Sequence, residues 1–134
     1  MPDSFLLRVA TPERPVFSAQ VHSVTAPGEQ GYFGVLAHHA PMVALLRIGG
    51  LTARAEDGKE THIAVSAGVL EVAGNAVTVL ADTAELDSEI DGERAQRALE
   101  RARHRLEERA ENTDRARAGL ALQRALNRLR VGRR

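Results

Sequence analysis

The feature that most constrains this chain is a sharp change in composition near Asp82. Residues 1–81 carry 12 charged side chains, whereas residues 82–134 carry 24 charged side chains in 53 positions. Such a step indicates two structural units built from different kinds of secondary structure. We predict a β-sandwich domain over residues 1–84 and a two-helix domain over residues 85–134.

The first unit has the pattern of an antiparallel β-sandwich. Its short segments are rich in aliphatic and β-branched residues, and Pro, Gly and Asn separate them at close spacing. The Asp57-Gly58 pair predicts a hairpin turn between two of these segments. The clearest segments cover residues 5–9, 21–24, 51–55, 61–65 and 77–80.

The second unit has the pattern of an antiparallel two-helix hairpin. Asp91 is a suitable N-cap for the first helix, and Asn112-Thr113-Asp114 interrupts the pattern before the second. The apolar stripes are largely alanine, and Gly119 costs about 1 kcal/mol relative to Ala, so the hairpin is weakly held. The predicted stripe positions are Ala95, Ala98, Leu99, Ala102, Leu106 and Ala110, then Ala118, Leu122, Ala125, Leu126 and Leu129.

Composition excludes several classes of function. The chain has 18 basic and 18 acidic side chains, no cysteine and no tryptophan. A neutral chain lacks the electrostatic drive of a nucleic-acid binder, and the missing thiols exclude disulfides and thiolate metal sites. No basic-then-apolar leader and no apolar run of about 20 residues occurs, so we predict neither a cleaved signal nor direct membrane insertion.

The histidines raise the alternative of a small β-sandwich metalloprotein. His38 and His39 are adjacent, and neighbouring residues of a strand point to opposite faces, so they are poorly placed to share an ion. We therefore predict no metal site. Ser66-Ala67-Gly68 lacks the flanking glycine of a nucleophile elbow, so we also predict no catalytic residues. The candidate ligands for the metalloprotein alternative are His22, His38, His39 and His62.

The helical unit is the more informative part. Residues 94–134 carry 13 arginines against 5 acids, and Arg117, Arg124 and Arg128 share one stripe of the second helix. A solvated charged surface explains such a pattern, and so do arginines that converge on a phosphorylated ligand or an acidic protein. A further alternative is a stand-alone binding module that uses this basic hairpin. Leu120 falls outside the apolar stripe and is predicted to be exposed.

Several fragments, taken in their order along the chain, resemble the epsilon subunit of the bacterial F-type ATP synthase. The fragment Ile90-Asp91-Gly92-Glu93-Arg94-Ala95 is similar to the family's Ile/Leu-Asp-x-x-Arg-Ala signature, and the resemblance covers nearly the whole chain. The other fragments are residues 31–36 (GYFGVL), 39–42 (HAPM), 69–72 (VLEV) and 77–85 (VTVLADTAE).

The resemblance implies a ten-stranded β-sandwich followed by a two-helix domain in a central rotor stalk. It implies a regulatory subunit without its own active site, at the cytoplasmic face of the bacterial cell membrane. The sandwich would contact the gamma subunit and the c-ring. The hairpin, when extended, would contact the alpha/beta catalytic head and inhibit ATP hydrolysis.

The resemblance also implies a regulatory ligand, ATP, bound in the compact state of the hairpin, with no cofactor required. Each implied residue has a purely structural alternative; Asp91, for example, is also the predicted helix cap. The implied ATP-binding residues are Glu85, Ile90, Asp91, Arg94, Ala95, Arg124 and Arg128.

Overall fold

A computed structural model describes residues 3–108 and 114–132 as a β-sandwich followed by two helices, which confirms the predicted fold class. The described residues form eight strands rather than about ten. The strands are β1 (Phe5–Ala10), β2 (Pro15–Val21), β3 (Ser23–Gly28), β4 (Gly31–Leu36), β5 (Met42–Leu46), β6 (Gly49–Arg54), β7 (Glu60–Ala73) and β8 (Ala76–Leu86).

The strands hydrogen-bond in the order β2-β1-β8-β7-β5-β3-β4, and β6 closes the structure by pairing with both β3 and β7. The sheet is mixed rather than purely antiparallel, because β1 runs parallel to β8. This pairing joins the first strand of the domain to the last, so the two ends of the sandwich are fixed to each other. The segment predicted over residues 21–24 is split by a bend at His22, between β2 and β3, that no Gly or Pro signals.

The strand β7 explains much of the difference in strand number. Its first half pairs with β6 and its second half with β5, and both halves pair with β8. Between the halves Ala67 and Asp82 are not paired with each other, and Ala67 has a φ of 52°, but the register of β7 against β8 is the same on both sides. The strand continues across this irregularity in one register, so one long strand serves where the pattern suggests two.

Gly68, next to Ala67, is predicted to be intolerant of a side chain. A Cβ at position 68 would lie 2.3 Å from the Leu80 carbonyl oxygen, and the residue has a φ of 157°. We expect Gly68→Ala to lower the free energy of unfolding by about 2 kcal/mol or more, since backbone on both strands must shift. Denaturant unfolding measures this loss.

Gly34→Ala is the matched control for that measurement. Gly34 also lies in a strand, but a Cβ there would meet only the Val24 carbonyl oxygen, at 3.8 Å. Its change in unfolding free energy is expected to stay within about 0.5 kcal/mol. Equal effects of the two substitutions would show that position 68 tolerates a methyl group.

The hairpin predicted at Asp57-Gly58 is confirmed. Arg54 pairs with Glu60 at the ends of β6 and β7, and the Asp57 carboxylate accepts a hydrogen bond from the Lys59 amide at 2.9 Å. Gly58 has a φ of 89°, a conformation that favours glycine. Local turn chemistry therefore fixes this connection.

The core of the sandwich is aliphatic, as the scarcity of aromatic residues requires. Phe5 is its one buried aromatic side chain among the described residues, and leucines and valines fill most of the remainder. Its largest fully buried members are Phe5, Leu7, Leu51, Ile63, Leu70, Val9, Val24, Val35, Val65, Val77 and Val79.

Two helices follow the sandwich, α1 (Gly92–Glu107) and α2 (Arg115–Gly132). Asp91 caps α1, since its Oδ1 accepts from the Arg94 amide at 3.1 Å. Asp114 does the same for α2, since its Oδ1 accepts from the Arg117 amide at 2.9 Å. These caps satisfy amides that lack a partner within the helix. The predicted break begins at Asn112 and Thr113, which lie outside the described residues.

The helices pack through small side chains, as their sequence pattern predicts. Arg115 begins α2 and donates from Nη1 to the Leu106 carbonyl oxygen at 2.6 Å, at the carboxyl end of α1, where a cation is favourable. Leu126 is 40% exposed, which corrects its place in the predicted stripe, whereas Leu120 is 50% exposed as predicted. Ala110 lies outside the described residues. The buried residues of this packing are Ala95, Leu99 and Ala102 of α1 and Ala118 and Ala125 of α2, while Asn127 and Val131 of α2 are buried against the sandwich.

Candidate functional site

The candidate site lies where α2 rests on the sandwich, against β6, β7 and the segment that joins β8 to α1. Val131 packs on Gly50, where an added Cβ would be 3.2 Å from Val131 Cγ2. Gly132 packs on Ile90, and a Cβ added at Gly132 would lie 3.2 Å from Ile90 Cγ2. The hairpin is therefore docked on the sandwich, in a compact arrangement.

The joining segment is held to the sandwich before the helices begin. It contains a 3-10 turn at Asp87–Glu89, and the Arg14 guanidinium donates to Glu89 Oε1 at 3.3 Å. That bond, together with one from the Leu86 amide, holds the pKa of the Glu89 carboxyl below its ordinary value. The segment thus places the start of α1 at a defined position beside β8.

Glu85 and Arg128 form the main charged contact between the two domains. Arg128 Nε donates to Glu85 Oε1 at 2.5 Å, and the side chains are 36% and 30% exposed. Arg124, one turn earlier on α2, lines the same small cavity, which measures about 10 Å³. Such a volume holds at most about one water molecule. Three of the seven residues implied by the resemblance are thereby brought together.

The remaining implied residues surround the start of α1. Ile90 contacts the end of α2, Asp91 caps α1, and Ala95 is buried in the helical hairpin. Arg94 is exposed, and its side chain makes no hydrogen bond or ion pair with any residue in 3–108 or 114–132. Ile90 and Asp91 therefore each have a structural role, as a packing contact and as a helix cap. The Arg94 guanidinium, by contrast, is accessible to a ligand.

Asn127 is a site residue that the sequence pattern did not reveal. It is 5% exposed, and its Nδ2 donates to the Gly49 carbonyl oxygen at 2.8 Å and to the Val65 carbonyl oxygen at 3.3 Å. Asn127 and Val131 are four residues apart, so they share one face of α2, apart from the alanine stripe that meets α1. The sequence signal that could have revealed Asn127 is its position one helical turn before Val131, on the same face of α2.

The histidines do not form a metal site with any described residue. Within residues 3–108 and 114–132 no group of three or more potential metal ligands occurs. His62 shares a hydrogen bond with Thr52 Oγ1 at 3.1 Å, and His38 lies 3.8 Å from Asp3. These are pairwise contacts, so no observation favours the metalloprotein alternative.

The described helices are too short or too polar to cross a membrane. None of them combines the length and the apolar character that a bilayer-spanning helix needs. The exposed apolar side chains lie instead on strands of the sandwich and on α2.

The fold and the site define a class of two-domain proteins in which a β-sandwich carries a helical hairpin on a partly polar contact. A family model for the beta-sandwich domain of the ATP synthase delta/epsilon chain matches residues 4–87, and one for its long alpha-helix domain matches residues 88–132. The chain belongs to the ATP synthase delta/epsilon chain family. It is thus a subunit of an enzyme complex rather than an enzyme by itself, as predicted.

Curated relatives agree with the family models. An ATP synthase epsilon chain of Moorella thermoacetica is 50% identical over 128 residues, which cover 96% of each chain. One from Nitratidesulfovibrio vulgaris is 49% identical over 131 residues, which cover 98% of this chain and 97% of the relative. The predicted resemblance to the epsilon subunit is confirmed.

Solved structures show the same architecture. A chain of the mitochondrial ATP synthase of Euglena gracilis aligns with a TM-score of 0.79 and 28% identity, over 92% of this chain and 78% of that one. A chain of the central stalk and c-ring of the Tetrahymena thermophila enzyme aligns with a TM-score of 0.54 and 14% identity, over 96% and 92%. The latter likeness concerns the fold alone.

Proposed function

We propose that this chain is the regulatory subunit of the rotor stalk in a proton-translocating F-type ATP synthase. Its sandwich contacts the gamma subunit and the c-ring, and its hairpin, when extended, contacts the alpha/beta head and inhibits ATP hydrolysis. The complex lies in the bacterial cell membrane, with this subunit peripheral on the cytoplasmic face. Similarity to bacterial epsilon chains over nearly the whole length supports this proposal.

The character of the docked contact supports a switchable hairpin. The two helices meet mainly through alanines, and α2 touches the sandwich through few side chains, two of them polar (Asn127 and Arg128). Small apolar contacts and solvent-exposed ion pairs contribute little to stability. An interface of this kind suits a two-state equilibrium between docked and extended forms, which a ligand shifts by preferring one of them.

The Glu85–Arg128 contact carries the proposal that ATP binds the docked form. It joins the sandwich to α2, and Arg124 lies beside it. Because the enclosed space is only about 10 Å³, a triphosphate must lie outside it and replace the Glu85 carboxylate as a partner of Arg128. Glu85, displaced, would remain free to bind another group of the nucleotide.

The start of α1 would complete the proposed site. The exposed Arg94 guanidinium supplies a further cation, while Ile90, Asp91 and Ala95 fix the first turn of α1 against α2. ATP held by residues of both helices and of β8 would oppose extension. Low ATP would release the hairpin to the head, so hydrolysis would be inhibited when the nucleotide is scarce.

Calorimetric titration of the chain with ATP tests this proposal. We expect saturable binding at or below millimolar ATP, and we expect Arg128→Gln and Arg124→Gln each to weaken it by about tenfold or more, since each removes a charge-assisted contact to phosphate. Arg103→Gln is the matched control, because Arg103 is an exposed arginine of α1 outside the site. Absence of heat at millimolar ATP, or equal loss in all three variants, would refute nucleotide sensing.

An apolar row on the outside of the sandwich supports the proposed stalk contacts. Leu45 of β5, Val69 of β7 and Leu80 of β8 are successive cross-strand partners, and they are 55%, 37% and 59% exposed. Adjacent apolar side chains on one face of three strands are typical of a protein interface. We therefore assign this row, Leu45-Val69-Leu80, to the contact with the stalk.

A further inference from the structure

We propose that Asn127 is the positioning residue that fixes how the hairpin docks on the sandwich. This inference deepens the proposed switch, because it names the side chain that selects the docked form without nucleotide. The Asn127 amide is buried and donates from Nδ2 to two backbone carbonyl oxygens of the other domain, those of Gly49 and Val65.

The two acceptors belong to different strands at one place in the sheet. Gly49 and Val65 are cross-strand partners of β6 and β7, and they precede Asn127 by 78 and 62 residues. One side chain of α2 therefore joins both strands at once. The neighbouring Val131–Gly50 contact is apolar and tolerates sliding, whereas a donor aimed at two fixed acceptors permits a single register.

The chemistry of the contact is specific for a donor. Both facing groups are carbonyl oxygens, so the amide must present its nitrogen to them and its oxygen elsewhere. The Asn127 side chain also borders a cavity of about 210 Å³ whose lining includes Thr25, Tyr32 and His62. A carboxylate of the same shape would place negative charge against two acceptors and would be strongly disfavoured there.

Asn127 differs from the Glu85–Arg128 pair in a way that separates their roles. The ion pair is about one-third exposed, and the proposed nucleotide competes for it. The Asn127 contact is neutral and buried, and although Asn127 borders the same small cavity as the ion pair, its hydrogen bonds go only to two backbone carbonyl oxygens. Asn127 thus favours docking at any nucleotide level. Extension returns both carbonyl oxygens and the amide to water, which keeps release feasible.

A disulfide-closure assay on the full chain tests this role. The natural chain has no cysteine, so Gly50→Cys with Val131→Cys reports docking through the rate of disulfide formation in oxidised glutathione. We expect Asn127→Asp in this background to slow closure by about tenfold or more, because both hydrogen bonds are lost and a charge is buried. Asn127→Ala should slow closure by a smaller factor, because it adds no charge.

Gln123→Asp is the matched control, since Gln123 is an exposed position of α2 and gains the same charge. It should leave closure unchanged, and the thermal unfolding of the sandwich should be the same in every variant. If Asn127→Asp lowers the helicity of the chain, the closure rate of Asn127→Ala decides whether Asn127 fixes the docking. Closure at the parent rate in both Asn127 variants would overturn the role of Asn127. Because closure is measured in the isolated chain, a failure of the proposed inhibition would leave this result standing.

Discussion

Locking the hairpin to the sandwich is expected to abolish inhibition of ATP hydrolysis by this subunit. A Cβ at position 50 would lie 3.2 Å from Val131 Cγ2, so a disulfide between cysteines at 50 and 131 fits the docked form. A locked hairpin cannot extend to the head. At low ATP, hydrolysis by the assembled complex should rise about fivefold or more, because the coupling free energy between two sites is typically about 1–3 kcal/mol.

Three comparisons make the lock informative. Reduction of the disulfide should restore inhibition, and either single cysteine should leave it unchanged. Deletion of residues 91–134 should raise hydrolysis to the same level as the lock, because both remove the extended form. Hydrolysis that is unaffected by both the lock and the deletion would contradict the inhibitory role of the hairpin.

Leu80→Asp is expected to weaken assembly of this subunit with the stalk by about 100-fold or more. Leu80 is 59% exposed in the isolated chain and lies beside Val69 in the Leu45-Val69-Leu80 row. If that row contacts the gamma subunit, the substitution buries an unpaired carboxylate at the interface, at a cost of about 3 kcal/mol or more. Pull-down of this chain by the gamma subunit, with a binding curve, measures the loss.

The folded chain itself should tolerate that substitution, since the side chain faces solvent. Ser18→Asp provides the control, because Ser18 is exposed on β2, away from the row. Its binding to the gamma subunit should match the unchanged chain. Normal binding by Leu80→Asp would move the proposed contact to another face of the sandwich.

The two tests address opposite ends of one mechanism. The lock examines whether the hairpin must leave the sandwich to act on hydrolysis, and Leu80→Asp examines whether the sandwich anchors the subunit. Disruption of anchoring should remove inhibition as well, because an unassembled subunit cannot reach the head. The lock, by contrast, should leave assembly intact, so measuring both activity and assembly for each variant separates the two functions.

Local features were accessible from the sequence because their causes are local. Asp91 was predicted to cap α1 and does so, since a cap depends on residues within one turn. The Asp57-Gly58 hairpin was predicted for the same reason. The break at residues 84 and 85 between the two domains stays a prediction. The implied ATP-binding residues came from the resemblance, and they also stay a proposal.

Contacts between distant segments were decided only by the tertiary structure. Ala67 and Gly68 have positive φ angles, yet pairing with β8 keeps the residues on both sides in one register, so the local pattern could not show that β7 is one strand. Helical spacing placed Arg124 and Arg128 on one stripe, but the docking of α2 brings Glu85 to them from 43 residues away. Asn127 reads as a solvated polar residue until docking buries it against Gly49 and Val65. The sequence by itself determined two domains and their local caps and turns, because these depend on neighbouring residues. Only tertiary packing could decide which faces meet.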